Sequence, residues 1–170
     1  APFRYSDNEK SQGLRDAQRK ILNITPKTGM AILLDIGEEN DIHPHNKQEV
    51  GKRLALLALK RDYGFELVDS GPLYSSHEIK NKYILVEFDH IGSGLVIKGK
   101  LEGFEIAGAD GIFYAANAQI IDNKVQIHSN KVKKPLNVRY GWKNYFDATL
   151  FNVEGLPASS FNSSEISIKK

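Results

Sequence analysis

"HEIKNKYILVEF" (residues 77–88) decides the fold class. Apolar and polar side chains alternate on either side of Asn81-Lys82, a pair suited to a tight turn, so the stretch predicts a β-hairpin rather than a helix. "QIIDNKVQIHS" (119–129) repeats the pattern around Asp122-Asn123. Shorter β-type runs at 94–98, 103–107, 111–116, 136–140 and 148–152 are separated by glycine and other turn residues. Strands at that spacing predict an antiparallel β-sandwich over 65–170. Aromatic residues follow the same division, 13 of 16 lying in this half.

Residues 1–64 have a different period and predict helix, strand, loop, helix. Leu14, Ala17, Ile21 and Leu22 recur at helical spacing, with Ser11 or Asp7 as candidate caps, and Thr25-Pro26 breaks the run. "GMAILLDIG" (29–37) is nearly continuous in apolar residues, the pattern of a strand covered on both faces. A second helix begins at Asn46 with Glu49 three residues on, carries Val50, Leu54, Leu57 and Ala58 on one face, and stops at Tyr63-Gly64. A buried parallel strand needs neighbours for its backbone groups, and residues 1–64 offer none. This half therefore reads as the end of an α/β domain whose earlier strands lie elsewhere. The class is α+β, mainly β, with domains at 1–64 and 65–170.

The totals narrow the function. The 170 residues are 41% hydrophobic and 26% charged, with a formal net charge of only +2. An even mixture of signs gives no reason to expect nucleic acid or an anionic membrane as partner. The longest basic cluster, Lys131-Val132-Lys133-Lys134, is short enough to be a solvated turn. No 18-residue apolar run is present, which argues against a membrane-spanning helix. With no cysteine, disulfides and thiolate metal sites are excluded. The opening "APFRYSDNEK" has neither an initiator Met nor a signal peptide, as expected of a processed, engineered or partial chain.

Chemistry concentrates in "DIGEENDIHPHNKQEV" (35–50), at the C-terminal edge of the expected strand. Asp41-Ile42-His43-Pro44 sets a carboxylate beside an imidazole. A neutral His can take a serine proton, and a carboxylate can orient the ring and stabilise the imidazolium. Asp-x-His alone is a weak signal, because surface carboxylate–imidazole pairs are commonly solvated. A metal site from His43, His45 and the acids at 35, 38, 39 and 41 is a weaker reading for the same reason. Neither a metal nor another cofactor is expected.

In order along the chain, "LRDAQRKIL" (14–22), "GMAILLDIGEENDIHPHNKQEVGKRLALLAL" (29–59), "SGPLY" (70–74), "FDHIGSGL" (88–95), "GFEIAGADGIFYAANAQI" (103–120), "VRYGW" (138–142) and "NVEGLPASSF" (152–161) resemble the C-terminal portion of sialate O-acetylesterases. These are SGNH-type hydrolases. "DIHPHNK" leading into the helix is the most specific segment. The resemblance implies an exported, periplasmic or secreted enzyme that hydrolyses O-acetyl esters of sialic acid or related sugars through a Ser–His mechanism. The family's catalytic His matches His43. Asp41 is the nearest acidic match for the third member. The family often places Asp three residues before the His, where this chain has Asn40, so either Asp41 or a backbone carbonyl orients the ring.

The family's nucleophile lies far upstream, in a Gly-x-Ser segment without a counterpart here. Among the twelve serines, Ser70 in Asp69-Ser70-Gly71 and Ser93 in Gly92-Ser93-Gly94 are the nearest imitations. Ser70 at a strand end and Ser93 in a tight turn both read as structural, and no strand–turn–helix context follows Gly92-Ser93-Gly94. The expectation is a hydrolase portion that depends on an upstream segment for its Ser and is inactive alone. The alternative is a non-catalytic β-sandwich that binds glycan or protein. Trp142, Tyr140, Tyr145 and Phe146 form an aromatic cluster that either stacks on sugar or packs in the core, the second being simpler. His77, His90 and His128 read as surface or locally bonded residues.

Overall fold

The computed structural model describes residues 1–6 and 10–164. Two helices, α1 (Ser11–Ile21) and α2 (Lys47–Arg61), precede ten strands. These are β1 (Leu73–Lys80), β2 (Tyr83–Asp89), β3 (Leu95–Ile97), β4 (Phe104–Ala107), β5 (Phe113–Ala115), β6 (Asn117–Ile121), β7 (Lys124–His128), β8 (Asn137–Tyr140), β9 (Leu150–Asn152) and β10 (Phe161–Asn162). They form sheets in the orders β1-β2-β7-β6, β10-β8-β4-β5 and β3-β9. All the pairings are antiparallel.

Both expected hairpins form. Lys80 pairs with Tyr83 across the first turn, and Asn81 takes a left-handed φ of 52°. Ile121 pairs with Lys124 across the second, where Asp122 and Asn123 both have positive φ. Two consecutive left-handed residues match the twist of the flanking strands, and Asp and Asn tolerate that conformation best after glycine. Alternation then sends Ile84 and Val86 of β2, Val125 and Ile127 of β7, Ile106 of β4, and Val138 and Tyr140 of β8 into one core. Each buried aliphatic side chain contributes roughly 1.5–3 kcal/mol. The Tyr140 hydroxyl is satisfied inside this core, accepting from the amides of Thr149 (3.0 Å) and Leu150 (3.1 Å). Burial pushes its phenol pKa upward.

The first half departs from its reading in two ways. Residues 29–36 belong to no ladder, so the expected strand over 29–37 does not form among the described residues. Ile32 and Leu34 still enter the core, while Ala31 and Leu33 stay half-buried. A strand exists only through its pairing, and nothing described lies alongside to supply it. Second, α1 forms but buries Asp16 and Arg19, whereas Leu14 and Ile21 are exposed. Its N-cap is Lys10, without a side-chain bond, and the Ser11 hydroxyl instead reaches Asn144 Oδ1 at 3.0 Å. Asp7, the other candidate cap, and Ser167 lie outside the described residues.

Arginines hold the helices in place. Arg15 donates to the carbonyls of Gly141 (3.1 Å) and Asn144 (3.2 Å), to that of Lys143, and to Ser160 Oγ (3.2 Å). Burial lowers its pKa to about 10, so it remains a cation at neutral pH. Asp16 accepts Arg19 through Nε (3.0 Å) and Nη2 (2.8 Å). The expected cap of α2 is present: Asn46 Oδ1 accepts the Glu49 amide at 3.1 Å.

Candidate active site

The loop from Asp35 to His45 is pinned along its first half. Arg53 of α2 donates to Asp35 Oδ1 (2.6 Å) and Oδ2 (2.7 Å), and Nη1 also reaches the carbonyl of Ile32 (2.6 Å). This bidentate geometry consumes Asp35 structurally. Glu39 pairs with Arg4, whose amide bonds the Glu39 carbonyl at 3.1 Å. The N-terminal segment thus crosses the loop closely; a Cβ on Gly37 would stand 2.2 Å from the carbonyl oxygen of Pro2.

Glu38 lies between these anchors, and Asp41, His43 and His45 follow them. Asp41 Oδ1 accepts the amide of His43 at 2.8 Å and stands 3.5 Å from its Nδ1. The amide bond, followed by the nearby imidazoles, holds the Asp41 carboxyl below its ordinary range. The sequence-predicted pair is therefore together, although the ring is 84% exposed and the carboxylate grips the backbone more closely than the imidazole. His45 is held more tightly. Its Nδ1 lies 2.6 Å from Glu38 Oε1, which also accepts its amide at 2.8 Å, and Asp41 Oδ2 is 3.8 Å from Nε2. Glu38, Asp41 and His45 hold ligand-type atoms within 4.8 Å of one another, but His43 is not in that group. Of the six residues in the metal reading, Asp35 and Glu39 are taken by arginines.

No serine hydroxyl bonds an imidazole among the described residues. Ser93 sits between Gly92 and Gly94, both at positive φ, and donates to Glu154 Oε1 at 2.6 Å. Ser70 is buried and donates to the carbonyl of Gly71. Ser93 lies in a turn and Ser70 in the bend that leads into β1. His77 bonds the Tyr74 hydroxyl at 2.7 Å, His128 is exposed, and His90 stands 3.8 Å from buried Asp69. The aromatic cluster divides. Tyr140 is core, Phe146 packs edge-on against it at 5.3 Å, and Trp142 stays partly exposed. Tyr145 bonds Asp147 at 2.9 Å. Burial, then Asp147 and the more distant carboxylates of Glu39 and Glu38, push its phenol upward.

A cavity of about 470 Å³ opens between α1 and residues 28–34, walled by Ile21, Leu22, Met30, Ala31, Leu33 and Leu34. Sequence reasoning located the apolar run that lines it but not the cavity. It also missed Arg53, although that residue occupies the same α2 face as Val50 and Leu57, three and four residues away.

A solved carbohydrate acetylesterase from Xanthomonas citri superposes on 96% of the chain with a TM-score of 0.89 and 39% identity. The chain shares its fold with part of a carbohydrate esterase. It spans 39% of that protein's length. No family model matches the sequence, and no curated protein matches it. The likeness supports a carbohydrate-esterase relationship for the α+β, mainly β fold. No helix among the described residues is long and apolar enough to cross a membrane.

Proposed function

We propose that this chain is part of a serine-type carbohydrate acetylesterase. Its residues 1–64 complete an SGNH-type α/β domain, and residues 65–170 form a β-sandwich behind it. The likeness to a carbohydrate acetylesterase over nearly the whole chain carries this reading. The unpaired 29–36 segment and the apolar cavity beside it agree with a sheet that continues in another part of a longer polypeptide. In this reading His43 takes the proton from a serine on that upstream segment, and the serine attacks the acetyl carbonyl of an O-acetylated sugar, sialic acid or a relative. Asp41 positions His43, through the amide contact and the 3.5 Å approach to Nδ1. Water then releases acetate from the acyl-serine, with His43 again moving the proton. No cofactor or metal takes part, and neither nucleic acid nor membrane is a partner. The setting is periplasmic or secreted.

The test joins the chain to the polypeptide encoded immediately upstream and follows acetate release from acetylated sugars. Activity should appear in the joined protein only, and His43→Ala should reduce kcat by about 10³-fold or more. Asp41→Asn should cost less, because the His retains a partial anchor. Undiminished turnover in His43→Ala, or turnover by the 170 residues alone, overturns the reading.

A further inference from the structure

On the β side, the segment 100–105, residues 115–117 and the loop 142–146 enclose an open trough of about 380 Å³. Two glycines shape its floor. A Cβ on Gly103 would stand 2.2 Å from Phe146 Cζ, and one on Gly141 would stand 3.1 Å from Phe146 Cδ1. Both residues have positive φ and are joined by the Gly141 amide to the Gly103 carbonyl at 3.0 Å. Phe146 is thereby seated edge-on against Tyr140, leaving an apolar base. Trp142 lines this trough without stacking on another ring, and its indole N–H bonds no described residue. The Asn117 side chain on the opposite lip is likewise exposed and unbonded within the described residues.

Charge on the rim is of both signs, with Lys100, Glu102, Glu105 and Lys143 all lining it. Lys100 bonds Glu102 at 2.8 Å, and Arg139 grips Glu105 at 2.9 and 3.2 Å. A polyhydroxyl ring meets an aromatic face, an apolar floor and polar groups at its edge, the features that hold a neutral sugar without help from charge. We propose that the trough is a sugar-binding subsite in which a neutral pyranose ring packs on the Trp142 indole and its hydroxyls bond Asn117 and Glu102. This assignment rests on the acetylesterase reading for its substrate class, but binding needs no turnover and is measured separately.

Trp142 is the only tryptophan, so indole fluorescence and the single indole N–H resonance report on the trough alone. The 170-residue chain would be titrated with cellohexaose, mannohexaose and N-acetylneuraminic acid. At least one neutral hexaose should shift the indole signals saturably, with amides of 102–105 and 116–117 moving in parallel. Trp142→Ala should weaken binding about tenfold or more, read from those amides. Asn117→Ala should weaken it about threefold, and this exposed change keeps the test valid where Trp142→Ala fails to fold. No indole shift with either hexaose, a response to N-acetylneuraminic acid alone, or unchanged affinity in Asn117→Ala and any folded Trp142 variant overturns the subsite. Loss of the subsite with intact acetate release leaves the esterase reading standing. Binding without acetate release in the joined protein sinks the esterase reading instead.

Discussion

The two halves of the molecule are built on opposite principles. In the β half, a contiguous set of apolar side chains is fully buried, although Ile112 and Val153 stay exposed, and the hydroxyl that Tyr140 carries into that core is bonded by two amide donors. In the helical half, Leu14, Ile24 and Leu54 are respectively 62%, 78% and 53% exposed, while Asp16, Arg19 and Arg53 are buried. The β sheets are held by area removed from water, and the helices by directional charge-assisted bonds to the sheets and the loop. Such an inversion makes the first half dependent on a few contacts, and it leaves apolar surface where a larger sheet would need it.

The sharpest trial of that contrast pairs one core deletion with one helix deletion. Phe104→Ala should destabilise by about 3–5 kcal/mol, whereas Leu54→Ala should stay within ~0.5 kcal/mol, both read from denaturant midpoints. Comparable losses would break the comparison. Arg53→Ala comes next. It strands the partly buried Asp35 carboxylate and the Ile32 carbonyl, and should cost about 2–4 kcal/mol, with faster amide exchange across residues 32–45. Asn46→Ala should cost about 1 kcal/mol, visible as fraying of the first turn of α2 while the β amides keep their protection.

The smallest effect is electrostatic. The Asp41 carboxyl has a folded pKa below its unfolded value, so it binds fewer protons in the native state and contributes stability above about pH 4. That contribution is lost as pH falls through the folded value. A carboxyl ¹³C titration should therefore place Asp41 below the ordinary 3.8, and a midpoint at or above it would mean that the His43 amide bond is not kept in solution.

Legibility followed the range of the interactions. Hairpins at 77–88 and 119–129 were readable because turn chemistry and period-two alternation are local. The other strands expected over 65–170 appear within one or two residues, but β10 (Phe161–Asn162) was not foreseen, since two residues carry no period. For α1, helical spacing was real yet assigned the wrong face, because amphipathicity shows which side is apolar and not what lies opposite. The pairing of Asp41 with His43 was evident from two residues of separation. Glu38 reaching His45 from seven residues away was not. Arg15 illustrates the limit: its acceptors outside α1 lie 126 to 145 residues onward, beyond any local pattern.

By itself, then, the amino-acid order determined the secondary-structure period of each half, the turns, the α2 cap and the carboxylate–imidazole pair. All of these depend on neighbours within a few residues. Only the tertiary structure decided that 29–36 stays unpaired among the described residues, that arginines share the anchoring of the helices, and that Trp142 lines a trough while Phe146 packs against Tyr140 at its floor. Those outcomes depend on which distant backbone groups and surfaces come within bonding distance, and folding alone brings them there.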